Sequence, residues 1–389
     1  MLYYSNRTNM KITISTEKLV EVIDIANRFV AKNATLPILQ NIYLKASIDT
    51  LIVRATDMEK YTEIELPCNV ATEGAITINA KTCNDIIRSI ETDELEISVD
   101  QNTHVMTIQS SKDTFNINGI AANEYVALPQ IPQDNAVTID THTFSQGIDK
   151  VEYAVTEKNF SPVLTWVLLR SKKDDGDKLI FVGTDSFRLA EYKLNAANNG
   201  NDFAVIIPKN TITDIKRIAE VAVEKNAEQL KVHYSENLIS FSCEVEDMKI
   251  LATSLLIQWN FPDYERPEIM PDTFNTTILV DKTLCEKAIK KIGILTKDIN
   301  NFIQIQSQKD SIVISSGKTD KWAGTTTIPA VVEGDDVSFW VNGRYITDFT
   351  RIVNGSEITL SIVDNNKPIV ITDKTENNYR YVVRPLINN

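Results

Sequence analysis

The chain repeats itself at whole-domain spacing. That constrains the fold more than any other feature, because each copy must close its own apolar face or lean on a similar neighbour. The stretch Ile12-Thr13-Ile14-Ser15 alternates as a short strand and runs into Leu19, Val22, Ile23, Ala26 and Val30, spaced as one helix face. The same strand-then-helix unit returns at Val137-Thr138-Ile139-Asp140, leading into Phe144, Ile148, Val151 and Val155. It returns again at Ile278-Leu279-Val280-Asp281, leading into Leu284, Ala288, Ile292 and Leu295. Ser15, Asp140 and Asp281 are predicted N-caps, since a short side-chain oxygen can accept from the unpaired amides of a first turn. A second unit also comes three times: Ile76–Asn79 before Asp85 and Arg88, Val205–Pro208 before Asp214 and Arg217, and Phe339–Asn342 before Asp348 and Arg351. Each Asp and Arg, three apart, is predicted to pair along one helix face. Between these units lie short alternating strands such as Leu95–Val99 and Glu357–Val363. The predicted fold is α+β, with three similar domains of two helices and antiparallel sheets at residues 10–133, 134–272 and 273–389. Residues 1–9 read as a disordered leader before a second possible start at Met10.

Composition excludes several classes. With 43% hydrophobic and 24% charged residues and only 12 Gly and 12 Pro, the chain is core-forming rather than disordered. The run Val163–Leu169 is far short of the roughly 20 apolar residues that span a bilayer, and the first residues lack the apolar region of a secretory signal. Cys68, Cys83, Cys243 and Cys285 contain no close pair, which points to a reducing cytoplasm rather than a disulfide framework or zinc ribbon. His104, His142 and His233 lack metal-ligand spacing, and Gly317-Lys318-Thr319 fails as a phosphate loop because Ile312 stands where its first glycine belongs. No nucleophile elbow or dinucleotide fingerprint occurs. Glu63 and Glu65 alternate on one strand face, a solvated charge pattern. The expectation is a protein that is not an enzyme and takes no cofactor and no metal.

A net charge of −13 argues against a nucleic-acid partner, because phosphate contacts need Lys and Arg. Where the charges lie changes the argument. The six predicted helices, taken as 16–32, 81–91, 141–158, 209–225, 281–298 and 344–351, carry 18 Lys and Arg against 15 Asp and Glu, a net of +3. The excess is clearest at Lys282, Lys287, Lys290, Lys291 and Lys297. Ordinary solvated helix faces account for the count as well as a layer built around a polyanion does. In the second case an acidic sheet layer would repel non-specific contact.

The residues resemble a known family, the bacterial DNA polymerase III beta subunit, or sliding clamp, from about Met10 to Leu386. The first domain carries Thr35-Leu36-Pro37-Ile38-Leu39-Gln40-Asn41 and Ala55-Thr56-Asp57-Met58-Glu59. The second carries Ser161-Pro162-Val163-Leu164, Gly183-Thr184-Asp185-Ser186-Phe187-Arg188-Leu189-Ala190 and Asn260-Phe261-Pro262-Asp263-Tyr264. The chain closes on Tyr381-Val382-Val383-Arg384-Pro385-Leu386.

The resemblance implies a DNA-clamp fold in a head-to-tail homodimeric ring. Sheets would lie outside and helices around a hole for double-stranded DNA, held without regard to sequence. An ATP-dependent clamp loader would open the ring, and DNA polymerase III and other clamp-binding-motif proteins would be tethered to it, with no membrane involved. The resemblance places the partner peptide in a cleft whose apolar floor is Leu164, Leu189, Pro262, Val382 and Leu386. Arg188 and Arg266 would orient the peptide, and Thr184, Ser186, Phe187, Asn342, Tyr345, Arg384 and Pro385 would complete the cleft. Phe187 stands where the family usually has His, and Arg384 where an apolar residue is common. The segment Glu265–Pro271 is longer than the family's. The dimer interface would set Phe115 and Ile117 against Ile294 and Leu295 of the other subunit. The cations turned to DNA would be Lys81, Arg88, Lys150, Lys209, Lys216, Arg217, Lys282, Lys290, Arg344 and Arg351. The competing readings are a β-rich protein-binding scaffold without DNA binding and a carboxylate hydrolase using Asp57 and Glu59.

Overall fold

The computed structural model describes residues 9–129, 136–156, 165–172, 178–195, 202–317 and 322–386. The expected leader at 1–9 lies outside them except for Asn9. Six α-helices form among the described residues: α1 Thr16–Asn27, α2 Ala80–Arg88, α3 Thr141–Glu152, α4 Lys209–Glu224, α5 Lys282–Thr296 and α6 Gly343–Ile352. The predicted caps close three of them, with Ser15 accepting from the Lys18 amide at 3.5 Å, Asp140 from Thr143 at 2.7 Å and Asp281 from Leu284 at 2.7 Å. Asn79 and Asn342 cap α2 and α6 in the same way. Helix α1 stops at Asn27, short of the predicted Lys32. The Arg28 carbonyl accepts from the Lys60 ammonium at 2.7 Å, which satisfies a terminal carbonyl that another helical turn would otherwise have taken.

The described residues fall into two compact units, one drawn from 1–145 and 210–257 and the other from 146–195, 200–209 and 258–389. The first unit has an eight-stranded sheet in the order Ala136–Asp140, Gln229–Tyr234, Leu238–Val245, Met248–Leu255, Lys60–Pro67, Thr50–Thr56, Asn41–Ser47 and Gly74–Asn79. It also has a five-stranded sheet whose end strand is Thr114–Asn118. The second unit has a nine-stranded sheet in the order Phe203–Pro208, Trp166–Ser171, Lys178–Thr184, Arg188–Asn195, Tyr379–Val383, Ile369–Thr372, Glu357–Ile362, Thr276–Asp281 and Val331–Gly334. Its four-stranded sheet ends on Thr325–Pro329. The middle third of the sequence therefore gives half its strands to each unit. One seam sets Ile64 opposite Ile250, and the other sets Leu189 opposite Val382. Sequence similarity is threefold, whereas continuous hydrogen bonding fuses neighbouring thirds into two sheets.

Cores form at most of the positions that the predicted periodicities chose, but Leu284 is 41% exposed, Val30 and Leu295 are half-buried, and Cys285 and Ile289 fill the buried face of α5. Leu19, Val22 and Ile23 of α1 are fully buried, as are Phe349 of α6 and the Tyr379 and Tyr381 rings that stack on it at 5.4 and 5.2 Å. Gly183 is required where α3 crosses its strand, since a Cβ there would meet the Val151 carbonyl oxygen at 2.4 Å. Of the three predicted Asp–Arg helix pairs, only Asp348–Arg351 forms, at 3.5 Å. Arg88 takes Asp24 of α1 at 2.8 Å, Arg217 takes Glu220 and Glu224, and Asp214 turns inward to Lys60. The predictions fail where a better-placed partner on a packed neighbour outweighs a weak exposed pair.

Candidate functional site

A turn at Thr184–Arg188 begins the site. Asp185 Oδ1 accepts the amides of Phe187 and Arg188 at 2.9 and 3.0 Å, and the Thr184 hydroxyl donates to the Arg188 carbonyl at 2.7 Å. Ser186 adopts a left-handed conformation with φ 75°, and this tight reversal leaves the Phe187 ring 56% exposed. The chain then enters the strand Arg188–Asn195, where Leu189 lies opposite Val382, both buried. The Arg384 amide donates to the Phe187 carbonyl at 2.8 Å and ties the C-terminal segment to the turn.

A second wall comes from Phe261–Ile269. The buried Tyr264 hydroxyl donates to Glu191 at 2.8 Å, and Phe261 meets the Tyr264 ring edge-on at 6.2 Å. Arg170 clamps Glu265 bidentately at 3.0 and 2.6 Å. Hydrogen bonds from Arg170 and Lys172 hold the Glu265 carboxyl down at about 2, and the wall is thereby tied to the sheet. Asn366, Lys367 and Pro368 supply a third side.

Together these walls enclose a cleft of about 510 Å³, within the range of small-ligand and peptide pockets. Thr184, Ser186, Phe187, Arg188, Leu189, Pro262, Val382 and Arg384 line it, as expected. Leu164 lies outside the described residues. The other expected residues do not line this cavity. Asn342 caps α6, and Tyr345 stacks on the Arg188 guanidinium at 4.6 Å without reaching the cavity. Pro385 is buried, and the Leu386 amide donates to the Trp340 carbonyl at 2.8 Å, which pairs Leu386 with the strand Ser338–Asn342. Arg266 is exposed and paired with Asp263 at 2.8 Å, away from the lining.

Arg188 was expected to reach for the ligand, yet its Nε donates to Asp185 at 3.0 Å, Nη1 to Asp348 at 2.6 Å and Nη2 to the Tyr153 carbonyl at 2.6 Å. Its side chain is 12% exposed. It is a tethered part of the wall. Sequence reasoning missed Phe261, Tyr264, Glu268, Ile269, Asn366, Lys367 and Pro368. Phe261 and Tyr264 flank Pro262 in a motif already singled out and were legible there. The Asn366–Pro368 loop carries no local signal, because pairing of the strand Ile369–Thr372 with Tyr379–Val383 is what brings it near.

Among the helix cations, Lys81, Arg344 and Arg351 are exposed, as are Arg88 and Lys290, which pair with Asp24 and Glu286. Lys216 is half-buried, and Arg217 is in its ion pairs. Lys209 and Lys282 donate to the carbonyls of Val155 at 3.0 Å and Val353 at 2.8 Å. Lys150 is not a surface cation: it is buried, bound to Glu376 at 2.5 Å and to the Ile352 carbonyl at 3.0 Å. Burial of an ammonium demands such partners.

Of the expected interface residues, Ile294 is 69% exposed, and Leu295 and Phe115 are half-buried. Ile117 is 7% exposed and belongs to the core beneath its end strand. Asp57, proposed for a hydrolase, accepts the amides of Glu59 and Lys60 at 3.0 and 2.9 Å as a turn cap. No cluster of metal-ligating side chains occurs among the described residues, and no helix there is long and apolar enough to cross a membrane.

Three family descriptions match the chain in succession. They are the DNA polymerase III beta subunit N-terminal domain at residues 10–129, its central domain at 138–263 and its C-terminal domain at 267–387. The beta sliding clamp of Bacillus subtilis (strain 168) is 27% identical over 390 residues, covering 97% of this chain and 99% of that one. The crystal structure of the DNA polymerase sliding clamp from Bacillus subtilis superposes with a TM-score of 0.89 at 26% identity, covering 98% of this chain and all of that one. The DNA polymerase III beta subunit of Thermotoga maritima shares the fold, with a TM-score of 0.89 at 20% identity over 98% of this chain and 100% of that one.

Proposed function

The chain belongs to the DNA polymerase III beta subunit family and acts as a DNA sliding clamp, and from that premise we propose how its parts divide the work. The observation that carries the reading is the unbroken succession of three clamp-domain matches along one chain. It supports three domains at 10–133, 134–272 and 273–389, and it does not favour a scaffold without DNA binding. The protein itself catalyses nothing. It works in the cytoplasm as a mechanical tether.

Two copies close head to tail, with the end strand Thr114–Asn118 of one meeting the end strand Thr325–Pro329 of the other. An end strand offers unpaired amides and carbonyls to whatever strand comes beside it. Phe115 then packs against the exposed Ile294 and the half-buried Leu295 of the second copy, while Ile117 supports the strand from below. The helices face the DNA, where Lys81, Lys290, Arg344 and Arg351 attract phosphates whatever the sequence. An ATP-dependent loader opens the ring. DNA polymerase III and other partners insert a short Leu- or Phe-containing segment into the cleft, and burial of each such side chain contributes roughly 1.5–3 kcal/mol.

Sedimentation equilibrium tests the assembly. The expected mass is twice the 43.8 kDa of one chain, with a central hole visible in electron micrographs. A monomer at micromolar concentration, or a filament, would overturn the ring.

A further inference from the structure

The carboxylate of Asp348 is shared. Its Oδ2 accepts from Arg188 in the cleft wall at 2.6 Å, and its Oδ1 lies 3.5 Å from Nη1 of Arg351, three residues further along α6. The two cations differ in setting: the Arg188 side chain is 12% exposed, that of Arg351 is 59% exposed, and Asp348 lies between at 27%. A single side chain thus touches both the cleft wall and the solvent face of α6.

We propose that Asp348 is a positioning residue that links the two sites, so that a polyanion on α6 raises the affinity of an apolar peptide for the cleft. The inference rests on the reading of the cleft as the peptide site and of α6 as a DNA-facing helix. While Arg351 is free, Asp348 divides its charge between two guanidinium groups. A phosphate that recruits Arg351 leaves the carboxylate to Arg188 alone, and the shorter of the two contacts strengthens. Arg188 is then held harder against Asp348 and the Tyr345 ring, and turns less of its charge towards an apolar ligand. Because linkage is reciprocal, an apolar peptide in the cleft must favour phosphate on Arg351 by the same factor. The part of the coupling carried by one exposed pair is small, corresponding to about two- to fivefold in affinity.

The corresponding pair in the other unit supplies a contrast. Asp214 of α4 holds Lys60, but Arg217, three residues on, pairs with Glu220 and Glu224 instead. Asp214 takes its second cation from another element, Arg28 at 3.9 Å, so a relay to an arginine three residues along the same helix exists beside the cleft and not at its counterpart.

The test is the affinity of a labelled Leu- and Phe-containing peptide, measured by fluorescence anisotropy on the full-length protein without duplex and with a short DNA duplex at low salt, at a duplex concentration that a separate titration shows to saturate each protein. The expected result is a two- to fivefold tightening with duplex in the parent protein. The same ratio is expected in Arg344→Gln, which removes a neighbouring cation of the same helix, and a ratio of one in Arg351→Gln. Asp348→Asn should also abolish the ratio. Arg351 lies on the surface, so its variant keeps the test open even if Asp348→Asn fails to fold. Peptide binding that ignores duplex in the parent protein, or equal loss of the ratio in Arg344→Gln, overturns the linkage while leaving the cleft intact. No peptide binding at all overturns the cleft reading, and the linkage with it.

Discussion

Asp214 of α4 takes the ammonium of Lys60 inside the first unit, just as Asp348 of α6 takes the guanidinium of Arg188 inside the second. Each cation stands three residues after an Asp that caps a tight turn, Asp57 or Asp185, and each turn carries a left-handed residue, Met58 at φ 80° or Ser186 at φ 75°. The next strands match as well, since the Leu255 amide donates to the Glu59 carbonyl at 2.8 Å as the Arg384 amide does to Phe187. Burial keeps the Asp214 carboxyl above its usual range even though Lys60 and Arg28 pull it down. Desolvation is the largest influence on that carboxyl, ahead of the attraction of Lys60. Asp214→Asn should destabilise the protein by at most about 3–5 kcal/mol, because it takes the nearest carboxylate from a buried ammonium that keeps only the Arg28 carbonyl and Asp57 at 4.0 Å. The double variant Lys60→Met, Asp214→Leu should recover most of that loss. Urea titrations of the three proteins check this, and a double variant no more stable than Asp214→Asn would reject the argument.

Ile294 presents a branched apolar side chain to solvent on α5. Ile294→Asp should give folded monomers, since closing the interface would then bury an unpaired carboxylate against Phe115. Unchanged circular dichroism with halved mass in sedimentation is the expected outcome. A dimer of undiminished strength would place the interface elsewhere.

Phe187 projects from its turn into the cleft and packs little of its own ring, so its removal tests binding without disturbing the core. Phe187→Ala should weaken a Leu- and Phe-containing peptide about tenfold in calorimetry and leave thermal stability nearly constant. Full affinity in Phe187→Ala would remove that ring from the site.

The Glu265 clamp gives a pH signature. Its folded carboxyl lies near 2 against an ordinary 4.5, so its contribution is fully present above about pH 4.5 and is lost as pH falls from there towards 2. Glu265→Gln should therefore be less stable than the parent at pH 6, and the difference should shrink on acidification to pH 3. The residue is partly exposed, which keeps the effect modest. A difference that grows on acidification would contradict the assigned cause.

Much of the architecture was legible in the sequence because it depends on local rules. Ser15, Asp140 and Asp281 cap their helices where a short oxygen-bearing side chain precedes an apolar 3.6-residue pattern. The less legible parts depend on what long-range packing brings near. Lys150 looks like any solvated helix lysine until Glu376, more than two hundred residues away, takes its ammonium. Arg188 looks like a ligand-seeking cation until Asp348 and the Tyr153 carbonyl occupy it. Leu189, Pro262 and Val382 of the cleft could be read from motifs, whereas its Asn366–Pro368 wall could not, since only strand pairing delivers it.

Those same corrections sharpen the expected behaviour on DNA. A protein held by counterion release loses roughly 10³–10⁵ in affinity between 50 and 200 mM salt when it makes six to ten phosphate contacts. With Lys150 buried and Lys209 and Lys282 engaged by carbonyls, fewer helix cations remain for phosphate than composition suggested. Direct equilibrium binding to a duplex should be weak. Once a loader has closed two copies around DNA, escape requires an interface to open or an end to be reached, and neither depends on phosphate affinity. Labelled protein loaded on nicked circular DNA should therefore persist at moderate salt and leave rapidly when one restriction cut linearises the circle. Ile294→Asp should shorten residence on the circle and leave residence on the linear form unchanged, because only the first is limited by interface opening. Equal dissociation from circle and linear DNA in the parent protein would mean that retention is electrostatic and that the closed ring is wrong.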